Sequence, residues 1–438
     1  MSERGEVFTY TGFDLSPEGV LTCRYALDGE EFVERIDAGV SGGDFSGDAA
    51  HAAARIVWLL AGVSYYKTAA PHRIEVTGGL SAREREFLAT YYRQGLAEFS
   101  YRTGVEIGDL VVSGQPRESV TAKADADPAR PLIPFGGGID SIVVVDQTVA
   151  ALPPEGDAAL FVVNTSDVPF EPIEATAGIT GLPVVRARRH LDPKVLESKQ
   201  RGYLNGHVPV TGVISAIAVL VAIAQGRGRV VMSNEHSASE PTTLVANGVP
   251  VNHQWSKSYE FEALFRELVA EAVTGVEYYS ALRPYSELWV ARRFAELREY
   301  HLAFRSCNRA FHVDPGQRLP RWCGECDKCC FIDLILAPYL SRAELEQIFG
   351  GHEPLANSAL LPQFYSLVGE PGRPKPLECV GDEGECRRAV ELALARDDRA
   401  DSFVLSALAS YLDESGMDAP GEDELLTMQG EHFLSVLS

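Results

Sequence analysis

Three glycines followed by an acid and a hydroxyl, Gly136-Gly137-Gly138-Ile139-Asp140-Ser141, have the types and spacing needed to grip an anion. Glycine lets the backbone turn tightly and bring N–H groups close to a phosphate. An apolar helix follows, offering unpaired amides and the positive end of its dipole. Ser141 adds a hydroxyl donor, and Asp140 is placed either to hold Mg²⁺ or to cap the helix. The same string also suits a tight strand-to-helix turn with no ligand. A second polar concentration lies at Ser233-Asn234-Glu235-His236-Ser237-Ala238-Ser239-Glu240 and resumes at Asn252-His253-Gln254-Trp255-Ser256-Lys257. Glu235, His236 and His253 are candidates for general acid/base work, and Lys257 for pairing with a carboxylate or phosphate. A solvated loop with incidental histidines is the alternative.

Four of the eight cysteines fall in Cys323-Gly324-Glu325-Cys326-Asp327-Lys328-Cys329-Cys330. That clustering suits metal ligation more than a secreted disulfide framework. Cys307, Cys323, Cys326 and Cys329 supply the four thiolates of a tetrahedral zinc site, with Cys330 to spare. Reduced, buried thiols are the competing reading. Cys23 and Cys386 read as packed, whereas Cys379, within Leu377-Glu378-Cys379-Val380-Gly381-Asp382, is a candidate acid/base thiol.

Such residues need a sheet edge to hold them. From Pro131 short apolar runs alternate with helical patterns: strands are expected at 132–135, 159–164, 183–186, 229–233 and 302–305, with helices at 141–151, 172–179 and 210–225. This predicts an α/β fold with a parallel five-stranded sheet. The glycine turn and the first polar loop would follow its first and fourth strands, at the carboxyl edge where ligands bind. Residues 1–125 read as a separate α+β module, with strands beginning at Val7 and Val20, helices at 49–61 and 82–99, and a polar linker over 122–130. The α/β nucleotide-binding domain is expected over 126–306, a Cys-rich segment over 307–345 and a helical region over 346–438, with helices at 332–349 and 387–412.

At 438 residues and 45% hydrophobic content, the chain can bury real cores. Its 39 Lys+Arg against 62 Asp+Glu give a net charge of −23, which opposes attraction to nucleic acid or anionic lipid and favours a small-molecule substrate. The opening residues have no signal-peptide pattern, and the apolar run 213–224 is too short to span a bilayer, so a cytoplasmic protein is expected.

The glycine run resembles the S-G-G-x-D-S signature of PP-loop ATP pyrophosphatases, with Gly136 where that family has Ser. The resemblance implies cleavage of ATP between its α and β phosphates, and an adenine site at Val163-Asn164-Thr165. The cysteine arrangement is similar to that of the cyano-deazaguanine synthases, also PP-loop enzymes. A closer resemblance is to the ATP-dependent UDP-N-acetylmuramoyl-L-alanyl-L-glutamate epimerase (MurL) family. It runs through Ala61 to Pro71, the glycine loop, both polar loops and Trp322 to Asp333. It implies inversion of the terminal L-Glu of UDP-MurNAc-L-Ala-L-Glu through an acyl adenylate, with ATP, Mg²⁺ and structural Zn²⁺. Lys67 and the adjacent Tyr65-Tyr66 would reach in from the N-terminal module or form a packed helix end. Two rivals stay open: another PP-loop ligase or amidating enzyme, and an inactive zinc-stabilised nucleotide-binding protein, which Gly136 favours.

Overall fold

Ten strands join into one sheet in the computed structural model, which describes residues 4–165, 168–242, 244–246, 248–312, 315–428 and 430–434. Numbered along the chain, they are β1 (Val7–Leu15), β2 (Val20–Leu27), β3 (Glu30–Asp37), β4 (Arg73–Val76), β5 (Val111–Ser113), β6 (Asp127–Pro134), β7 (Ala159–Asn164), β8 (Val184–His190), β9 (Arg227–Met232) and β10 (Glu277–Ser280). Their order across the sheet is β10-β9-β6-β7-β8-β3-β2-β1-β4-β5. The five strands from β10 to β8 are parallel; β8-β3, β3-β2 and β2-β1 pair antiparallel. The protein is therefore a mixed α/β structure with a large, mostly parallel sheet.

The parallel strands β6, β7 and β9 bury both faces along their apolar runs, whereas β8 alternates buried and more exposed residues. Side chains alternate across the sheet. Leu132, Ala159, Phe161 and Val230 enter one core with the helices Asp48–Ala61, Val210–Ala224 and Tyr259–Ala272. Ile133, Leu160, Val162 and Val231 enter a second core with Ile139–Ala150, Glu287–Glu296, Asp327–Leu336 and Glu383–Leu394.

Several expectations change. The fifth parallel strand is β10, whereas residues 302–305 lie in turn and irregular backbone. Leu302 is 71% exposed, so its apolar neighbours do not form a buried run. The expected polar linker over 122–130 is structured: Ala122–Lys123 pairs with Val273–Thr274, and β6 begins at Asp127. Helix 332–349 is two helices, Asp327–Leu336 and then Arg342–Ile348, divided after Pro338 by the capping box of Ser341 and Glu344. Helix 387–412 likewise divides into Glu383–Leu394 and Phe403–Ser415, the second capped by Ser402. Among the described residues, no helix is long and apolar enough to cross a membrane.

Candidate active site

The chain leaves β6, builds β7 and β8 on one side, then returns to build β9 and β10 on the other, so the strand order reverses between β6 and β9. Crevices at such switch points bind ligands. The glycine turn follows β6 and the first polar loop follows β9, and a cavity of about 530 Å³ opens there. Gly136, Gly138, Asp140, Ser141, Ser233, His253 and Lys257 line it, joined by Lys328 and Cys379. A larger hollow of about 1120 Å³ lies against Asp48, Arg55 and Lys123 on the N-terminal side and contains none of these residues.

The glycine turn has two tight positions. Gly137 has φ +72°, and a Cβ there would stand 2.7 Å from Thr176 Oγ1; a Cβ on Gly138 would stand 3.0 Å from Ser306 Oγ. Gly136 faces open space, so a serine would fit there. Gly138 caps the helix Ile139–Ala150 without a side-chain bond, so Asp140 does not serve as the cap. Instead Asp140 Oδ1 is buried without a hydrogen-bond partner, as is Glu287 Oε2. Asp140, Glu235 and Glu287 bring carboxylate oxygens within 4.8 Å of one another. Burial, then the neighbouring Glu235, pushes Asp140 up to about 7, and burial with Asp140 raises Glu287 well above the carboxylate range. Three converging carboxylates, two of them with an unpartnered buried oxygen, have the donor chemistry that a hard divalent cation takes.

Two buried residues fix the polar loops. Arg283 donates from Nε to Glu262 Oε2 at 2.9 Å and from Nη1 to Glu235 O at 2.7 Å, and it also binds Lys257 O. Glu262 in turn accepts the Ser280 amide at 2.9 Å, tying both loops to the end of β10. Lys257 Nζ then reaches Cys379 Sγ at 3.3 Å. Burial alone would lower Lys257, but Cys379, Glu235 and Asp140 hold it firmly protonated. His253 Nδ1 lies 2.5 Å from Glu98 Oε2, while the ring of His207 sits 4.3 Å from that of His253.

The remaining predicted residues divide. Val163 and Asn164 end β7, one strand from the glycine turn; Asn164 Oδ1 is buried and unpartnered, and Thr165 is exposed just beyond. His236 does not line the cavity: its ring lies under Gly430. Lys67 is engaged by Asn205 Oδ1 at 2.6 Å and Gly206 O at 3.2 Å, and Tyr66 by Pro71 O at 2.9 Å, so this corner is packed. Glu98, Glu287, Arg283 and Lys328 were not singled out by sequence. Glu98 and Glu287 stand in ordinary helical surroundings; only Lys328, inside the cysteine string, had a local signal.

Cys307, Cys323, Cys326 and Cys329 converge within 4.8 Å. Cys329 Sγ lies 3.6 Å from Cys323 Sγ and 3.5 Å from Cys326 Sγ. A tetrahedral zinc with Zn–S of about 2.3 Å sets its sulfurs about 3.8 Å apart, whereas a disulfide needs about 2.05 Å. Backbone amides of Cys323 and Cys326 donate to Cys307 Sγ and Cys323 Sγ, both at 3.4 Å, as thiolates would favour. The cluster could thus hold a metal such as zinc. It also shapes the cavity, because Ser306 and Asn308 flank Cys307, and Lys328 stands between Cys326 and Cys329.

Comparison with known proteins agrees over nearly the whole chain. The MurL N-terminal domain model matches residues 1–281, and the MurL C-terminal domain model matches residues 303–422. The chain is 39% identical to a UDP-N-acetyl-alpha-D-muramoyl-L-alanyl-L-glutamate epimerase of Salinispora tropica, covering 98% of this chain and 94% of that protein. It is 37% identical to enzymes of the same name from a Micromonospora species and from Xanthomonas oryzae pv. oryzae, covering 98% and 94% of this chain and 96% and 91% of theirs. No solved structure gives a significant match. With both family domains present in order and similarity running almost end to end, this chain belongs to the MurL epimerase family.

Proposed function

We propose that this protein is a cytoplasmic isomerase that converts the terminal L-Glu of UDP-MurNAc-L-Ala-L-Glu to D-Glu, spending ATP to AMP and pyrophosphate, in the synthesis of peptidoglycan precursor. The observation that carries the reading is the glycine turn at the sheet's switch point, opening into a cavity lined by Lys257 and by Asp140, on which Glu235 and Glu287 converge. The relatives bear the name of that epimerase.

In this reading the fold is of the PP-loop type. The amides of residues 136–141 hold the phosphates of ATP, and Ser141 adds its hydroxyl. Asp140, Glu235 and Glu287 hold Mg²⁺, which neutralises phosphate charge when bound. Residues 163–165 border the adenine, and Lys257 and Lys328 attract the anionic reactants. Cys307, Cys323, Cys326 and Cys329 hold Zn²⁺ structurally. Activation answers a physical problem: a free carboxylate resists loss of the adjacent Cα proton, because a second negative charge would grow beside the first. Adenylating it removes that charge and lets the carbanion spread into an enolate. His253 joins the proton-transfer apparatus, whereas His236 lies away from it.

The test is to incubate the protein with ATP, Mg²⁺ and UDP-MurNAc-L-Ala-L-Glu. AMP and pyrophosphate should appear, with a dipeptide of unchanged mass whose glutamate is D. A mass change would instead indicate amidation or ligation, and absence of AMP would sink the proposal.

A further inference from the structure

Cys379 lies far from the glycine turn in sequence, yet its surroundings are specialised. It lines the cavity beside Gly136, Asp140 and Lys257, so its sulfur can meet a bound molecule. Lys257 Nζ stands 3.3 Å from Sγ, and Lys328 Nζ binds the Cys379 carbonyl. His253 lines the same cavity close enough to the sulfur to favour its thiolate, and reaches Glu98 Oε2 at 2.5 Å on its other side. Glu98 is 4% exposed and is further held by Arg102 Nε at 2.6 Å. The result is a carboxylate–imidazole–sulfur series with an ammonium beside the sulfur. It joins a helix of the N-terminal half to a loop of the C-terminal family domain.

The cysteines outside the zinc cluster behave differently. Burial raises the thiols of Cys23, Cys330 and Cys386, which keeps them protonated. Burial would raise Cys379 as well, but Lys257, His253 and Lys328 bring it down to about 6, against the opposing charge of Asp140. His253 correspondingly rises to about 9: burial opposes its charge, and Cys379 and Glu98 overcome that. The two shifts agree on an imidazolium–thiolate pair.

Building on the epimerase reading, we infer that Cys379 is the catalytic residue that exchanges the Cα proton on one face of the activated glutamyl group, with His253 and Glu98 as positioning residues. As the thiolate forms its S–H bond, the Cα–H bond breaks and its electron pair moves into the Cα–C bond. The carbonyl π pair moves onto oxygen, giving the enolate. A second Brønsted acid on the opposite face then gives its proton to Cα as the carbonyl re-forms. The Cys379 thiol later releases its proton to water, so one proton leaves and one enters. Lys257 cannot be this base, because its neighbours keep it charged.

The experiment compares full-length wild type with Cys379→Ser and Cys379→Ala in D₂O, using ATP, Mg²⁺ and each dipeptide epimer. Both variants should still form AMP from the dipeptide, which also reports a folded site, while epimerisation drops ~10²–10⁴-fold, the usual contribution of a general base. Solvent deuterium should enter Cα of one epimer only, through the surviving group on the other face. His253→Asn should move the acid limb of the rate profile to higher pH. Epimerisation by either Cys379 variant within a few-fold of wild type would overturn the inference, as would parallel loss of AMP formation and epimerisation. Failure of the wild type to form AMP would instead overturn the underlying functional reading.

Discussion

At Cys379, charge and geometry together predict pH behaviour that a lone thiol would not show. Lys257, His253 and Lys328 supply positive charge and Asp140 opposes them, with the thiol at about 6. Because the folded value lies below the ordinary one near 9, folding gains from the thiolate fully above about pH 9 and loses that gain as pH falls through about 6. Iodoacetamide trapping, read by peptide mass spectrometry, should therefore be half-maximal near pH 6. Glu98→Gln removes the carboxylate that keeps His253 charged, so the half-point should move upward; an unmoved half-point would show that Glu98 has no influence on the sulfur. Asp140→Asn should abolish AMP formation while leaving the melting temperature unchanged or higher, because it removes one of three mutually repelling buried carboxylates. How much of the site was legible at this scale depended on contiguity. The glycine turn and both polar loops are continuous strings, so Asp140, Glu235, His253 and Lys257 could be chosen directly. Glu98, Glu287 and Arg283 come from separate segments and converge only in space, and sequence spacing has no term for that.

Elements differ in legibility for a related reason. Strands β6, β7 and β9 are apolar runs buried on both faces, and such runs identify themselves. Strand β10, Glu-Tyr-Tyr-Ser, is four residues long at the sheet edge and has no such run, while the apolar residues near Leu302 imitate one. The cysteine segment was legible because ligand spacing is local. Its structural consequence was not: the helix Asp327–Leu336 starts inside the cluster and aims Lys328 at the cavity, with Ser306 and Asn308 held from the other side of Cys307. A metal clip here would thus fasten the cavity wall as well as the fold. Purified protein should contain about one zinc per chain, the stoichiometry of four thiolates on one ion. Cys326→Ser should release it, lower the melting temperature and weaken dipeptide binding together. Elemental analysis finding no zinc, or a variant that loses zinc but keeps binding, would remove the clip from this account.

Across the whole molecule, the decisive feature is the antiparallel junction of β8 with β3, which makes one sheet out of the N-terminal strands and the parallel strands around the glycine turn. Nothing in the apolar pattern signals this junction, because the residues that secure it are charged. Arg189 donates from Nε to Glu34 Oε1 at 2.5 Å and from Nη2 to Ser64 Oγ at 2.9 Å, with Glu34 0% and Arg189 4% exposed. The junction matters to chemistry because Glu98 comes from the N-terminal half, whereas the glycine turn and Cys379 lie beyond it. Breaking one partner leaves the other charge buried and unpaired, which costs about 3–5 kcal/mol; replacing both with apolar side chains of similar size avoids most of that cost. Arg189→Ala or Glu34→Ala should accordingly lower the urea midpoint sharply. The double variant Glu34→Leu with Arg189→Met should recover much of the loss. If the double variant is instead as unstable as either single one, the pair's value lies in its directed hydrogen bonds and in the strand register they set. Recovery of stability without recovery of epimerisation would show that the same register is what brings Glu98 to His253.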